Sequence, residues 1–397
     1  MYSFSKKVLI DIEKIYFKRS KTEFRINIKA YNQLLAWYKN NFENFNKNSA
    51  FCKVLIEEKI IVKNGVDYNP FVERVLGPQR VFVQLTDKCN LMCEHCYAEG
   101  RPYNKNELDI YELIEFLSMS IRNGVREIDF TGGEIFTYPS IWELLEWIDM
   151  QPIKTVLFSN LTLVTEEQLN KIVNISSVVK IVTSIDYFTA ERHNRFRHGI
   201  NAYEITMKAI DYLNRTDVKV VVNTMVMSDN HNEVVDIVNY FKERGIRVVL
   251  DTIISEGRMK NKSKNEIERK VNCLVCSTLS GENFDSKSFK VNYLKPYNDN
   301  VYIKICGVGK RMVYLTCDGK IALCPSLTKY SMNMHYSKIV EFKSIIDYIK
   351  NFQSLSCKYS DCKKYKECGG GCRARAFINT GDIFEKDIES CYKFGVE

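Results

Sequence analysis

No run of about eighteen apolar residues occurs in the 397-residue sequence, so no membrane-spanning helix is expected. The opening Met1-Tyr2-Ser3-Phe4-Ser5-Lys6-Lys7 starts no signal peptide, and no basic stripe interleaved with aromatics is present of the kind that tracks nucleic acid. Hydrophobic residues at 45% and charged residues at 27% argue against disorder. The expectation is a cytoplasmic protein with neither a membrane nor a nucleic-acid partner. At 397 residues the chain exceeds one ordinary core, and two or three domains should share it. The net charge of +8, from 57 basic and 49 acidic residues, reads as a solvated surface that could favour an acidic peptide.

Cysteine is the abundant exception. Fourteen thiols in a chain read as cytoplasmic should bind metal rather than pair. Three lie within eight residues, Cys89-Asn90-Leu91-Met92-Cys93-Glu94-His95-Cys96. Thiolates at this spacing on one loop can hold three irons of a [4Fe–4S] cube, leaving the fourth iron open to a substrate. A structural zinc site would instead need a fourth ligand, such as His95 or a distant residue. The Cys-x3-Cys-x2-Cys spacing resembles the signature of the radical S-adenosylmethionine (SAM) superfamily. That resemblance implies a cluster that chelates SAM through the open iron and, once reduced, cleaves it to a 5′-deoxyadenosyl radical. It also places Tyr97, directly after the loop, among the cofactor-binding residues.

Residues 1–78 read as a separate small α+β unit. Short strands are expected near 8–12, 15–17 and 24–28, then a helix whose Tyr31, Leu34, Leu35 and Tyr38 recur at helical spacing, and a second helix near 52–61. The order resembles the winged-helix-like leader-recognition element of peptide-modifying radical SAM enzymes, which bind an extended peptide on a strand edge. A layer that merely caps the next domain is the alternative. Cys52, within the helical pattern, reads as buried.

From Gln79 strands and helices alternate, which predicts a parallel sheet. Strands are expected at 81–85, 127–130, 155–158, 178–185, 219–225 and 247–251, with Ile110, Leu113, Ile114, Leu117 and Ile121 on one face of the first helix. Six units make an α/β fold, a partial (β/α)6 TIM-like barrel over residues 79–260, with active residues at the carboxyl ends of its strands. The cysteine loop follows the first strand. The second ends in Thr131-Gly132-Gly133-Glu134, where paired glycines let backbone approach a ligand closely. Within the resemblance this is the motif that contacts the amino group of SAM. Ser159-Asn160 and Ser184-Ile185-Asp186 resemble positions holding its ribose and carboxylate, and Arg197, in His193-Asn194-Arg195-Phe196-Arg197, resembles a carboxylate partner. Asn223 faces the same mouth, as a ligand contact or a buried amide satisfying backbone.

Residues 261–397 open with a charged linker, 261–270, and then Cys273-Leu274-Val275-Cys276, which reads equally as structure or metal site. Cys306, Cys324, Cys357, Cys362, Cys368, Cys372 and Cys391 follow, with an Asp318-Gly319 hairpin turn ahead of Cys324. A zinc ribbon is the alternative reading. The spacing resembles the seven-cysteine SPASM domain, which houses two auxiliary [4Fe–4S] clusters, making three clusters in all. The resemblance implies one cluster on Cys357, Cys362, Cys368 and Cys391, and another on Cys306, Cys324 and Cys372. The second set is one ligand short, to be closed by Cys276 or Cys317 or left open for a substrate thiolate. Cys357 stands four residues before Cys362, where the family's usual gap is two.

The function implied is maturation of a ribosomally made precursor peptide with a leader, most directly by a thioether crosslink, with a flavodoxin- or ferredoxin-type electron donor. Carbon–carbon crosslinking and formylglycine formation are alternatives. Against the last, Pro325 follows Cys324 where sulfatase-maturing relatives carry a carboxylate. An electron carrier or a peptide-binding scaffold is the non-enzyme alternative. No catalytic base is identifiable.

Overall fold

The computed structural model describes residues 1–72, 77–227, 229–252, 256–259, 308, 311–352 and 356–393. Cys273, Cys276, Cys306 and the linker 261–270 lie outside them. The first stretch contains β1 Tyr2–Phe4, β2 Val8–Ile10, β3 Lys14–Phe17, β4 Glu23–Arg25, α1 Ile28–Lys39, α2 Ala50–Glu57 and β5 Ile61–Lys63. β2, β3 and β4 form an antiparallel sheet, and β1 pairs with β5. Asn27 and Ser49 begin the helices by accepting from Ala30 N (2.9 Å) and Cys52 N (3.2 Å). α2 is shorter than the expected 52–61 because Lys59 turns into the left-handed region at φ 55°. The buried Ile60 and Ile61 that follow leave the helix, and Ile61 opens β5. Phe4, Val8, Ile10, Leu34, Leu55 and Tyr68 close a core of their own, with Cys52 buried in it.

Six parallel strands carry the centre of the molecule: β6 Arg80–Gln84, β7 Glu127–Thr131, β8 Lys154–Phe158, β9 Val178–Ser184, β10 Lys219–Val226 and β11 Arg247–Thr252. They lie side by side in chain order. Parallel neighbours need crossovers. These are provided by α3 Ile110–Arg122, α4 Ile141–Asp149, α5 Glu166–Asn174, α6 Ala190–Arg197, α7 Ala202–Leu213 and α8 His231–Glu243. Val81, Val83, Ile128, Phe130, Leu157, Ile181, Val220 and Val222 join Leu113 and Leu117 of α3 in one core under the helices. By strand alternation the residues between them face the concave side in layers. Arg80, Glu127, Lys154, Lys180 and Lys219 stand at the amino end, and Gln84, Thr131, Phe158, Ser184 and Asn223 at the carboxyl end.

The sheet does not stop at β6. β12 Met312–Leu315 pairs parallel to it, and β13 Ile321–Ala322 returns antiparallel around Gly319, whose φ is +81°. Eight strands therefore run β11-β10-β9-β8-β7-β6-β12-β13, an open rather than a closed wall. Helices Lys343–Lys350, Tyr365–Cys368, Arg373–Thr380 and Ile388–Lys393 complete the carboxyl-terminal part.

The amino-terminal unit docks on the amino ends of β8 and β9. Lys18 is buried there and donates to Gln151 O (3.2 Å) and Ser177 Oγ (2.9 Å), while Lys6 pairs with Asp149. Arg19 donates to Val173 O (2.9 Å), Val178 O (2.9 Å) and Ile175 O, placing a cation where the carbonyls of α5 end.

Candidate active site

The loop that leaves β6 is clamped from several distant parts of the chain. Gly133 N donates to Thr86 O (2.7 Å) and Glu134 N to Lys88 O (2.8 Å), so the turn after β7 holds the loop by main chain alone. A Cβ on Gly132 would stand 2.9 Å from Thr86 O, and one on Gly133 would stand 2.3 Å from Lys88 O. The close approach that these glycines permit in this structure is to the cysteine loop itself. Gly100 plays the same part from the other side, where a Cβ would meet Cys89 Cβ at 2.9 Å.

Further along, Met92 N and Glu94 N donate to the carbonyls of Arg197 (3.3 Å) and Phe196 (3.1 Å) at the end of α6. His95 lies flat on Phe196, with ring centres 5.0 Å apart. Arg258 donates to Cys93 O (2.8 Å) and to Gly100 O, and its own N–H reaches Cys96 O (3.2 Å). Gly257 precedes it at φ +55°, with Cys96 O and Tyr97 O 2.4 and 2.5 Å from where a Cβ would be. Neither Gly257 nor Arg258 stands out in the sequence. No spacing rule links them to the cysteine loop, and only the fold reveals that they brace it.

Within this frame Cys89 is buried, and Cys93 and Cys96 are partly so. Burial pushes the Cys89 thiol up to about 12, and burial likewise raises Cys93 despite the nearby Arg197 cation. Such thiols stay protonated until a metal takes the place of the proton. Among the described residues no three His, Cys, Asp or Glu side chains are grouped to hold a single metal ion. Three sulfurs on one loop, with glycines on both sides, do fit an iron–sulfur group in donor chemistry.

Glu134 points inward. Its Oε1 accepts from Ser159 Oγ (2.7 Å) and Phe136 N (3.1 Å), and its Oε2 accepts from Asn160 N (2.7 Å). Burial raises its carboxyl to about 7 in spite of those bonds. Ser159 and Asn160 are therefore tied to the glycine turn, and Asn160 also donates to Asn90 Oδ1 (3.0 Å) inside the cysteine loop. The Arg197 guanidinium forks onto Asp186 (Nε 2.9 Å and Nη2 2.5 Å to Oδ2), with its remaining nitrogen 3.8 Å from Cys93 Sγ. Burial works to raise the Asp186 carboxyl, and Arg197 with His95 and His193 overcomes it, holding it at about 2. The carboxylate that Arg197 grips is one of the chain's own, on the adjoining strand end. Ser184 ends β9 beside Asn223, which donates to Asp251 Oδ2 at 3.5 Å. Tyr97 is 40% exposed, and its hydroxyl meets Tyr314 and Thr131. Tyr314 is buried on β12 and donates to Gln84 Oε1 (3.0 Å), which also accepts from Cys317 N (3.4 Å). The hairpin after β12 thus reaches the mouth of the barrel.

A second group of thiols gathers near the carboxyl terminus. Cys357, Cys362, Cys368 and Cys391 line a cavity of about 340 Å³ together with Asp387 and Ser390. That is roughly ten times the volume a water molecule occupies in the liquid, room for a polynuclear group rather than one ion. Cys372 and Cys324 pack instead with Leu323, Leu327 and Ala374. Asp387, which sequence reasoning passed over, accepts from Cys372 N (2.7 Å), from Ser390 Oγ (2.6 Å) and from both Nε and Nη2 of Arg375 (2.8 and 2.7 Å).

Residues 83–241 match a family model described as the Radical SAM superfamily. An AdoMet-dependent heme synthase of Methanosarcina barkeri is 25% identical over 344 residues, covering 80% of this chain and 98% of that protein. The antilisterial bacteriocin subtilosin biosynthesis protein AlbA of Bacillus subtilis is 29% identical over 170 residues, 43% of this chain and 38% of AlbA. Among solved structures, Streptococcus suis SuiB bound to the precursor peptide SuiA superposes with a TM-score of 0.66 at 15% identity, over 98% of this chain and 100% of that one. The structure of anSMEcpe with bound AdoMet gives 0.64 at 18% identity, over 80% and 92%. At these identities the structural likenesses establish the fold.

Proposed function

We propose that this chain, which carries a radical SAM domain, modifies a ribosomally made precursor peptide, joining a cysteine sulfur to a carbon of the same peptide. The observation that carries the reading is the three-thiol loop at the carboxyl mouth of the sheet, braced by Gly133, Arg197 and Arg258. Cys89, Cys93 and Cys96 would hold a [4Fe–4S] cluster, with SAM against Tyr97, the turn Thr131–Glu134 and the ends of β8 and β9. When bound, that pair supplies one-electron chemistry able to take hydrogen from an unactivated carbon. The chain's own part is positioning: Glu134 fixes Ser159 and Asn160, and the Asp186–Arg197 pair holds the loop end. Cys357, Cys362, Cys368 and Cys391 would hold one auxiliary cluster, and Cys324 with Cys372 and Cys306 another, with a flavodoxin or ferredoxin as electron donor. The peptide reading is supported by the fold shared with SuiB over nearly the whole chain, amino-terminal unit included, and by similarity to AlbA. That unit would receive the leader.

The similarity to heme synthases, over 86% to 98% of their length, supports a second reading in which the substrate is a heme precursor. The two separate by experiment. Anaerobically reduced protein with SAM should yield 5′-deoxyadenosine, and Cys93→Ala should not. Equal yields from both would remove the radical SAM chemistry. A cysteine-containing precursor encoded nearby should accelerate that yield and lose about 2 Da with one alkylatable thiol fewer, because C–S bond formation breaks one S–H and one C–H bond. Acceleration by a heme precursor and not by peptide would decide for the second reading.

A further inference from the structure

Arg197 meets the thiol loop twice. Its carbonyl braces the loop by accepting from Met92 N at 3.3 Å. Its guanidinium forks onto Asp186 Oδ2 through Nε (2.9 Å) and Nη2 (2.5 Å), which leaves Nη1 facing Cys93 Sγ at 3.8 Å, within reach of an N–H toward sulfur. Both charged groups are buried, Asp186 at 1% exposure and Arg197 at 6%. Neither can turn away. Asp186 Oδ1 accepts from Met225 N on β10 (3.0 Å), its carbonyl accepts from Asn230 Nδ2 ahead of α8 (2.8 Å), and its own N–H donates to His193 Nδ1 on α6 (3.3 Å). The carboxylate is fixed from three elements, and it fixes in turn the direction in which Nη1 points.

A guanidinium keeps its charge at any working pH. Shielded from water, that charge acts strongly on a sulfur beside it. Against the burial that raises the Cys93 thiol, Arg197 favours the thiolate and Asp186 opposes it, so the two partners of the ion pair act on one sulfur with opposite sign. A second sulfur has a main-chain donor, Leu91 N to Cys89 Sγ at 3.4 Å. One electron added to a thiolate-held cluster adds one negative charge and requires no proton. Hydrogen bonds to its sulfurs and cations beside them favour that reduced form, and a carboxylate nearby disfavours it.

We propose that Arg197, acting through Cys93 Sγ as a positioning residue, raises the reduction potential of the cluster on Cys89, Cys93 and Cys96, and that Asp186 offsets part of that rise. The inference rests on the reading that this loop holds a [4Fe–4S] cluster. The test is an anaerobic titration of the cluster-loaded protein with dithionite, without SAM, followed by low-temperature EPR and by iron counts. The signal of this loop is the one missing from Cys93→Ala. Arg197→Met should lower its reduced-to-oxidised ratio at a fixed potential about tenfold, the scale of one lost charge-assisted hydrogen bond, which is a midpoint about 59 mV more negative for one electron. Asp186→Asn keeps an acceptor for the guanidinium and removes the opposing charge, so its midpoint should move the other way. Arg197→Lys, which keeps the charge without the fork, should fall between Arg197→Met and the parent. Should Arg197→Met fail to hold iron, Arg197→Lys and Asp186→Asn carry the test, with midpoints expected on opposite sides of the parent's. Unmoved midpoints, a shift of the Arg197 and Asp186 variants in the same direction, or loss of about four irons from all three would make the pair a brace alone and overturn the proposal. A parent protein that lacks the signal would instead remove the cluster from this loop, and with it the reading beneath.

Discussion

The two groups of cysteines are built in opposite ways. The loop of Cys89, Cys93 and Cys96 is braced by residues far along the chain, Gly133 after β7, Arg197 at the end of α6 and Arg258 after β11. The cavity of Cys357, Cys362, Cys368 and Cys391 is braced from within its own stretch. Asp387 gathers Cys372, Arg375 and Ser390, and Arg373 donates to the carbonyls of Gly370, Ile383 and Glu385. The first site therefore depends on the whole sheet, whereas the second can close locally, as loop-closure entropy favours.

The sharpest way to break that contrast is Gly133→Ala. A Cβ 2.3 Å from Lys88 O must displace main chain. Overpacking of this kind costs on the order of 1–3 kcal/mol. Loss of about four irons per chain and of all 5′-deoxyadenosine is expected, with the carboxyl-terminal iron retained. Iron and absorbance counts on the purified protein check it. Retention of SAM cleavage would mean that the loop is not held by the glycine turn.

The converse change is Asp387→Asn. Removing one partner of a buried ion pair typically costs about 3–5 kcal/mol, confined here to residues 356–393. Iron should fall by about four per chain while SAM cleavage without peptide persists. Simultaneous loss of both would make the two sites one folding unit.

The smallest expected effect touches neither site. Burial holds the Lys18 ammonium down at about 7, against 10.5 for a free lysine. Between those values the unfolded chain binds one more proton than the folded chain, so stability rises as pH rises from about 7 to about 10.5, and the burial cost is felt in full below pH 7. The slope is at most about 1.4 kcal/mol per pH unit. Lys18→Met should flatten it in denaturant titrations between pH 7 and 9, with both iron counts unchanged.

Much of this arrangement is legible from spacing. The six strands and the loop after the first of them follow from short-range pattern, since period and spacing are local properties, whereas the set Cys357, Cys362, Cys368 and Cys391, which lines one cavity, is implied by the resemblance to the SPASM domain. What the residues do to one another is less local. Gly132 and Gly133 read as ligand contacts, and the fold adds that they admit the cysteine loop. Arg197 reads as a partner for a bound carboxylate and grips Asp186. Gly257, Arg258 and Asp387 carry no recognisable spacing at all, because their partners are set by the folding of the sheet and of the terminal helices. β1 and β5, three residues each, are too short to show alternation and were not expected.

The pairing of β12 with β6 has a bearing on how the chain is made. β6 feeds the cysteine loop, and one of its edges has no neighbour until Met312–Leu315 emerges, about 230 residues later. At translation rates of about 5–20 residues per second, that edge stays bare for roughly 10–50 seconds. During this interval the nascent chain presents an unpaired strand beside three reduced thiols, open to foreign strands and to oxidants alike. Protection by a chaperone should therefore matter most to the yield of protein in the window between the appearance of β6 and that of β12, and a fragment ending near residue 260 should aggregate where the full chain does not.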